Sequence, residues 1–261
     1  MNNDFGFLPN LSDEDKLFIR NIEEWVDLAS EKFKRKFTHF LTEKQCDIAT
    51  AVMNSMGYKA YGLCGGWDNA KRRVLGIWNE YDVPDVDEFP IASYTFKYPK
   101  AYKLSHRDFL GAFVSLNIKR ECVGDILVND GIAVAFFEKS VGANIDSELF
   151  KIGRVGVDVT KGCEIISQMD VSDKFTEISG TVASLRLDCV LSLALNCSRS
   201  KVVPLIAAKK VCVNNFERLC GDYIMHEKDV FSVKGFGKFV LSQISGKSRK
   251  DRIFITVSKY I

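Results

Sequence analysis

Residues 185–214 have the sequence LRLDCVLSLALNCSRSKVVPLIAAKKVCVN, and this stretch decides how the chain is expected to fold. Its apolar residues recur at helical spacing in two runs, with Ser198 in the position of a helix N-cap between them. The apolar positions of the first run are Leu187, Val190, Leu191, Ala194 and Leu195, and those of the second are Val202, Val203 and Ile206. A strand is predicted over 211–214. We therefore expect two short helices packed at an angle and followed by β-structure.

The start of the second predicted helix carries Ser198, Arg199, Ser200 and Lys201. Free backbone N–H groups make this end of a helix positive, so each cation there is disfavoured by roughly 0.3 to 1 kcal/mol in isolation. An incoming phosphate reverses that penalty, and hydroxyls, a guanidinium, an ammonium and helix-end amides together suit phosphate binding. The sequence therefore predicts a phosphate-binding site here, with an ordinary polar N-cap as the alternative.

Charge is distributed unevenly along the chain. Residues 181–261 contain 14 Lys and Arg against 6 Asp and Glu, a net charge of +8. Residues 1–180 contain 22 against 28, a net charge of −6, which together give the +2 of the whole chain. Because neutralising phosphates supplies most sequence-independent affinity for nucleic acids, the basic end indicates a nucleic-acid partner. A solvated basic surface is the alternative.

Composition and cysteine usage limit the other possibilities. A chain of 261 residues with 46% hydrophobic residues is long enough for two or three small domains. The eight cysteines form no C-x-x-C pair and there are only three histidines, so we expect no metal site. Gly246-Lys247-Ser248 lacks the upstream glycine of a phosphate loop, so no cofactor is expected. No apolar stretch is long enough for a membrane span, and we expect a cytoplasmic protein.

The remainder of the sequence predicts two further domains and an α+β fold class. Residues 1–80 are predicted to form an α/β domain, with a long helix that starts at Ser12 and extends its apolar stripe to Phe37, then a second helix and two strands. Residues 89–171 have the order β-α-β-β-α-β, the ferredoxin-like order of RNA-recognition motifs, and are predicted as an RRM-like domain without its R-G-F-G-F-V-type aromatic strand. Residues 172–180 are predicted as a polar junction.

The third predicted domain, residues 181–261, resembles the S4 domain of ribosomal proteins and RNA-modifying enzymes. The matching positions are Arg186, Leu187, Asp188, Leu191, Ser198, Arg199, Ser200, Lys201, Leu205, Ile206, Val211, Val213 and Asn214. Lys209 stands where that family usually has glycine, and Pro204 interrupts the second helix, which costs about 3 kcal/mol in a regular helix. The resemblance implies an S4-type αα-β RNA-binding domain. Its predicted RNA contacts are Arg186, Ser198, Arg199, Ser200, Lys201, Lys209, Lys210 and Asn214.

Two further segments resemble the YlmH-like family, proteins of bacteria and plastids that carry an S4 domain last. They are residues 104–128, LSHRDFLGAFVSLNIKRECVGDILV, and the turn that contains Gly65, Gly66, Trp67, Ala70, Lys71, Arg72 and Arg73. The resemblance implies non-catalytic RNA binding, association with ribosomes or ribosomal subunits, and a part in handling stalled translation. Secondary contacts to RNA or the ribosome are expected among Lys71, Arg72, Arg73, His106, Arg107, Lys119 and Arg120.

Two alternatives to simple RNA binding stay open. The first is an RNA-modifying enzyme of the pseudouridine synthase type, and His106 beside Asp108 could in principle transfer protons. Ser105 and Asp108, however, also form a capping-box pair that opens a helix. The second is an adaptor that docks on a protein partner. We expect no enzyme activity and no small-molecule substrate, with structured RNA and the ribosome or its large subunit as partners and no membrane.

Overall fold

The computed structural model describes residue 8, residues 10–172 and residues 174–260. The chain divides into two compact units, of which the first is Ser12–Val171 and the second is Ser172–Ile261 together with Met1–Leu11. Residues 1–7, 9, 173 and 261, which include the ends of the first and third predicted domains, lie outside the described residues. Helices and several separate sheets confirm the α+β class, and the division into three domains stays a prediction.

The first unit contains four helices and nine strands among its described residues. In chain order they are α1 (Asp13–Lys32), β1 (Lys36–Leu41), α2 (Glu43–Met56), β2 (Tyr61–Cys64), β3 (Arg73–Ile77), β4 (Ile91–Lys97), α3 (His106–Ser115), β5 (Val123–Asn129), β6 (Ile132–Glu138), α4 (Gly142–Glu148), β7 (Lys151–Ile152), β8 (Val155–Gly156) and β9 (Asp158–Lys161). The strands form a three-stranded sheet in the order β1-β3-β2, a four-stranded sheet in the order β5-β6-β4-β9, and the β7-β8 hairpin.

Helix α1 begins as predicted and ends earlier than predicted. Ser12 and Asp15 form the capping box at its start, with the Asp15 amide donating to the Ser12 hydroxyl at 3.1 Å. The helix ends at Lys32 because Phe33 takes a left-handed backbone conformation (φ 52°). The prediction that Phe37 continues the helical stripe is wrong. Phe37 lies in β1 opposite Gly76. It is four positions after Phe33, as in a helix, but the chain turns between the two residues, so this spacing is coincidental.

The two faces of the four-stranded sheet are both covered. One face carries Phe137 and its alternating neighbours, and it packs against α3 through rings such as Phe109 and Phe113. On the opposite face, Val134 and Phe136 are completely buried and belong to the apolar cluster of the β1-β3-β2 layer, which includes Phe40, Val74 and Trp78. Successive side chains along β6 therefore point into two different hydrophobic cores, rather than alternately into a core and into water.

The second unit contains two helices and six strands among its described residues. They are β10 (Phe175–Val182), α5 (Leu187–Ala194), α6 (Arg199–Ala207), β11 (Val211–Val213), β12 (Phe216–Glu217), β13 (Val230–Val233), β14 (Gly237–Lys247) and β15 (Ile253–Tyr260). The strands form one antiparallel sheet in the order β10-β15-β14-β13-β11-β12. The helices bury Leu187, Leu191 and Ile206 with Phe231 and Phe239 of the sheet. The two helices at residues 185–207 are thus present, and β-structure follows them as expected.

Strand β10 lies where the sequence predicted a polar junction, and that prediction is wrong for residues 175–180. The strand pairs along its length with β15, from Phe175 opposite Tyr260 to Val182 opposite Ile253. The hydrophobic signal is weak because an edge strand buries few side chains, and only Val182 of β10 is fully buried.

Helix length and composition give one further result for the described part of the chain. No single helix there is long and apolar enough to cross a membrane, and only α5 and α6 taken together, across a bend of 115°, meet that criterion.

Candidate nucleic-acid interface

Helices α5 and α6 meet at a sharp bend, and we call residues 186–210 the α5–α6 corner. The helices are turned by 115° relative to each other. Asn196 in the connecting turn has a left-handed backbone conformation (φ 47°), which asparagine tolerates better than most residues. The Cys197 amide donates to the Ser192 carbonyl oxygen at 3.1 Å and closes the end of α5. The turn thereby brings the start of α6 close to the start of α5.

A buried carboxylate joins the two helix starts. The side chain of Asp188 is 4% exposed, and it accepts hydrogen bonds from Arg186 at 3.3 and 3.4 Å and from Nη2 of Arg199. Burial alone raises the pKa of Asp188, but hydrogen bonds from Arg186, Arg199 and Cys189, together with the charge of Arg199, outweigh burial and hold the pKa below its ordinary value. Arg199 remains 55% exposed, so its guanidinium is held on one edge and open on the other.

The first turn of α6 presents polar groups to solvent. Ser198 occupies the N-cap position, but its hydroxyl bonds to the Ser200 hydroxyl at 2.8 Å rather than to the helix amides. Lys201 lies in the same turn and is exposed. The structure therefore brings together Arg186, Arg199, the two serines and Lys201, five of the eight predicted RNA contacts. Hydroxyls, cations and a positive helix end in one place can bind a phosphate.

The other three predicted contacts follow the opposite end of α6. Lys209 and Lys210 are exposed, and Lys209 has a left-handed backbone (φ 56°), the conformation for which glycine is preferred. Asn214 is also left-handed, and its side chain is already used within the fold. Its amide nitrogen donates to Asp229 at 2.7 Å, and its oxygen accepts from the Val230 amide at 2.9 Å.

Proline does not stop helix α6. The helix has nine residues with Pro204 inside it, and the Ala208 amide donates to the Pro204 carbonyl oxygen at 3.0 Å. Pro204 is the sixth of the nine residues, so it removes the amide that would donate to the Ser200 carbonyl oxygen, and the helix ends three residues later at Ala207.

In the first unit, Asp125 connects two segments that the sequence singled out separately. Its carboxylate accepts from the indole N–H of Trp67 at 3.1 Å, from the Lys71 amide at 2.7 Å and from the Arg72 amide at 3.1 Å. Gly66 in the same turn has φ 88°, and a Cβ there would meet the Phe136 ring at 2.5 Å. The glycine-rich, basic turn is thereby held against the start of β5.

The arginines of this cluster are bound to the protein itself. Arg72 donates to the carbonyl oxygens of Val123 at 2.9 Å and Phe40 at 3.0 Å, and burial together with Arg120 lowers the pKa of Arg72 to about 10. Arg120 donates to Val123 at 2.6 Å, and burial lowers its pKa. The Nε of Arg73 is buried without a hydrogen-bond partner among the described residues. Arg72 therefore joins the turn to β1 and β5, whereas Arg120 is bound within its own loop.

The remaining secondary candidates are accessible. His106 and Arg107 are exposed in the first turn of α3, and partial desolvation followed by the charge of Arg120 lowers the pKa of His106. Lys119 is exposed and pairs with Glu121 at 3.6 Å. The Asp108 carboxylate accepts from the Ser105 amide at 2.8 Å and hydroxyl at 2.7 Å, which is the predicted cap.

Comparison with known proteins adds to this geometry. Residues 84–163 match the family model described as "Putative RNA-binding domain in YlmH". Over 250 residues the chain is 29% identical to Ribosome-associated protein quality control protein P2 of Bacillus subtilis (strain 168), which covers 94% of this chain and 95% of the relative. The chain is thus similar to YlmH proteins in its central segment and to this relative along nearly its whole length. A solved structure, cell division protein ylmH from Streptococcus pneumoniae, matches 62% of this chain and 99% of its own with a TM-score of 0.52 and 22% identity. That part of the chain shares its fold.

One group of side chains in this protein was missed because its members are far apart in sequence. His39, Cys122 and Glu138 bring their ligand atoms within 4.8 Å of one another, and His39 Nδ1 lies 2.5 Å from Glu138. Their residue types could hold a transition metal. Burial, followed by the charges of Glu138 and Glu121, raises the pKa of Cys122 to about 11, so a metal would have to displace a proton from this thiol. The expectation of no metal stays a prediction.

Proposed function

We propose that this protein is a non-catalytic RNA-binding protein that binds structured RNA, ribosomal or transfer, in the cytoplasm. In this proposal the second unit acts as an S4-type module. The observation that carries the proposal is the α5–α6 corner, in which buried Asp188 orients Arg186 and Arg199 beside the exposed start of α6. An arginine already held in place loses less conformational entropy when it binds a phosphate than a free one does.

Recognition in this proposal depends on shape more than on sequence. The groups at the corner are cations, hydroxyls and backbone amides, which contact phosphates and 2′-hydroxyls rather than base edges. In A-form RNA the deep major groove hides most base edges, so a helical junction or a ribosomal surface is the kind of target that fits. The net charge of +8 over residues 181–261 supplies the long-range attraction.

The central segment contributes in a different way in this proposal. The order β5-β6-β4-β9 corresponds to strands 2-3-1-4 of a β-α-β-β-α-β unit, which supports the RRM-like interpretation. Because Phe136 and Val134 are buried under the neighbouring sheet, this segment would contact RNA or ribosomal protein through its loops, with Arg107 and Lys119 as accessible cations.

We further propose that the protein acts on the ribosome or its large subunit and takes part in the rescue or quality control of stalled translation. The support is the similarity along nearly the whole chain to a Bacillus subtilis protein that is named for ribosome-associated protein quality control. Cosedimentation of the full chain with purified ribosomal subunits tests this step, and recovery of the chain in the unbound fraction at low salt would contradict it.

The RNA-binding step is tested by changing Arg199 and Lys201 together to alanine. We expect a loss of about 1 to 3 kcal/mol in binding free energy for transfer RNA or large-subunit ribosomal RNA, measured by fluorescence anisotropy, because two phosphate contacts are removed. For the wild-type chain, log K should fall against log salt with a slope of roughly −3 to −5.

A matched control separates the site from the net charge. Arg249 and Lys250 are exposed in the same unit, so changing both to alanine removes the same charge far along the chain from α6. We expect a much smaller loss of affinity for this control. Equal losses in the two double variants, or a wild-type affinity that ignores salt, would overturn the proposal.

A further inference from the structure

A groove of about 450 Å³ lies beside the start of α6 in the second unit. Its polar lining includes Thr181, Ser198, Arg199 and Arg252, and Leu193 contributes to its apolar lining. Arg252 precedes β15, fifty-three positions after Arg199 in the chain, and the pairing of β10 with β15 brings it to the groove. Cavities of roughly 300 to 1,000 Å³ are typical of small-ligand sites.

Arg252 is held in place on one edge of its guanidinium. Its Nε donates to the Thr181 hydroxyl at 3.0 Å, and its Nη2 donates to the Thr181 carbonyl oxygen at 2.6 Å. Arg252 is nevertheless exposed, so part of the guanidinium faces water.

Arg199 is held in the same manner, because its Nη2 donates to the buried carboxylate of Asp188. Two guanidiniums, each fixed by a hydrogen bond to the protein, therefore line one groove together with the Ser198 hydroxyl. An anion bound in this groove would be attracted by both positive charges. Planar guanidinium donors match phosphate oxygens with two parallel hydrogen bonds, so phosphate is the anion that this pair fits best.

We propose that this groove holds one phosphodiester group of the bound RNA strand, with Arg199 and Arg252 as its two cations. The inference rests on the proposed function, since it names where a strand passes beyond the α5–α6 corner. It adds Arg252, and with it the start of β15, to the contacts expected from residues 186–214.

The experiment compares Arg252→Gln with Arg249→Gln in the full chain. Both changes remove one exposed cation from the same β14–β15 connection, but only Arg252 lines the groove. With labelled transfer RNA and large-subunit ribosomal RNA as probes, we expect Arg252→Gln to weaken binding roughly ten-fold and to make the salt slope shallower by about one unit. Arg249→Gln should change affinity by less than about two-fold.

Arg252→Lys keeps the positive charge and removes the paired donors of the guanidinium. This variant is needed if Arg252→Gln lowers the thermal unfolding midpoint, because a loss of affinity could then come from a loss of folded protein. We expect the lysine variant to keep the wild-type salt slope and still bind RNA several-fold more weakly. Wild-type affinity in Arg252→Lys, or equal losses in Arg252→Gln and Arg249→Gln, would overturn the proposal that the groove binds a phosphate. The proposed function would still be supported if the Arg199 and Lys201 double variant binds RNA more weakly. Failure of the wild-type chain to bind either RNA would overturn the proposed function itself.

Discussion

The central four-stranded sheet and the α5–α6 corner differ in what they leave exposed. The sheet has the strand order typical of an RNA-binding fold, yet the face that such folds use is covered, with Phe136 completely buried. The corner is made of two short helices of ordinary composition, yet it leaves Arg199, Ser200 and Lys201 open to solvent. A strand order by itself therefore does not make a binding surface, whereas exposed cations and hydroxyls such as those of the corner are the groups that can contact a phosphate.

The largest expected effect concerns the covered sheet face. Changing Phe136 to alanine should lower the free energy of unfolding by about 3 to 5 kcal/mol, because the ring is fully enclosed and its loss leaves a cavity. Urea denaturation measures this change. Phe150→Ala is the control, since Phe150 is 64% exposed, and it should cost less than about 0.5 kcal/mol. Similar small losses in both variants would mean that the sheet face is open after all.

An intermediate effect is expected at the corner. Asp188→Asn should lower the free energy of unfolding by about 1 to 3 kcal/mol, since a neutral amide accepts more weakly from the two arginines. The loss is limited because Arg186 and Arg199 can turn to water. RNA affinity should fall as well, because Arg199 loses the group that orients it. Unchanged RNA affinity in a folded variant would show that the ion pair of Asp188 with the two arginines does not contribute to RNA binding.

The same carboxylate predicts a pH dependence. The pKa of Asp188 is lower in the folded chain than its ordinary value of 3.8, so the charged form stabilises the fold fully above that ordinary value. This contribution is lost as the pH falls through the lower, folded pKa. Urea denaturation between about pH 5 and about pH 3 should therefore show a smaller fall in stability for Asp188→Asn than for the wild type. Identical pH profiles would contradict the assignment.

The smallest effect is expected at Lys209. Changing Lys209 to glycine should raise the free energy of unfolding by about 0.5 to 1 kcal/mol, because glycine adopts the left-handed conformation at this helix end without strain. If Lys209 contacts RNA, the salt slope should also become shallower by about one unit. Lys210→Ala removes the same charge without relieving strain, so a stability gain in that variant too would point to charge rather than backbone conformation.

Local sequence patterns predicted those parts of the fold that depend on near neighbours. The cap at Ser12, the start of α3 after Ser105 and the two helices after Leu185 were all predictable, because a capping residue and a helical stripe act within a few positions. The hydrophobic pattern gave a wrong prediction at Phe37, which keeps a helical spacing although it follows a turn. It also missed strand β10, because this edge strand buries few side chains.

The sequence by itself determined the concentration of positive charge in the last third of the chain, the paired helices and the residue types that suit a phosphate. Only the tertiary structure decided which of these groups meet, because most of the partners lie on different helices or strands. Asp188 joins Arg186 to Arg199, β10 and β15 carry Arg252 to the groove, and Asp125 collects donors from the turn after Trp67. Burial of Phe136 was likewise decided by packing, since alternation along a strand shows which residues share a face and not what covers it.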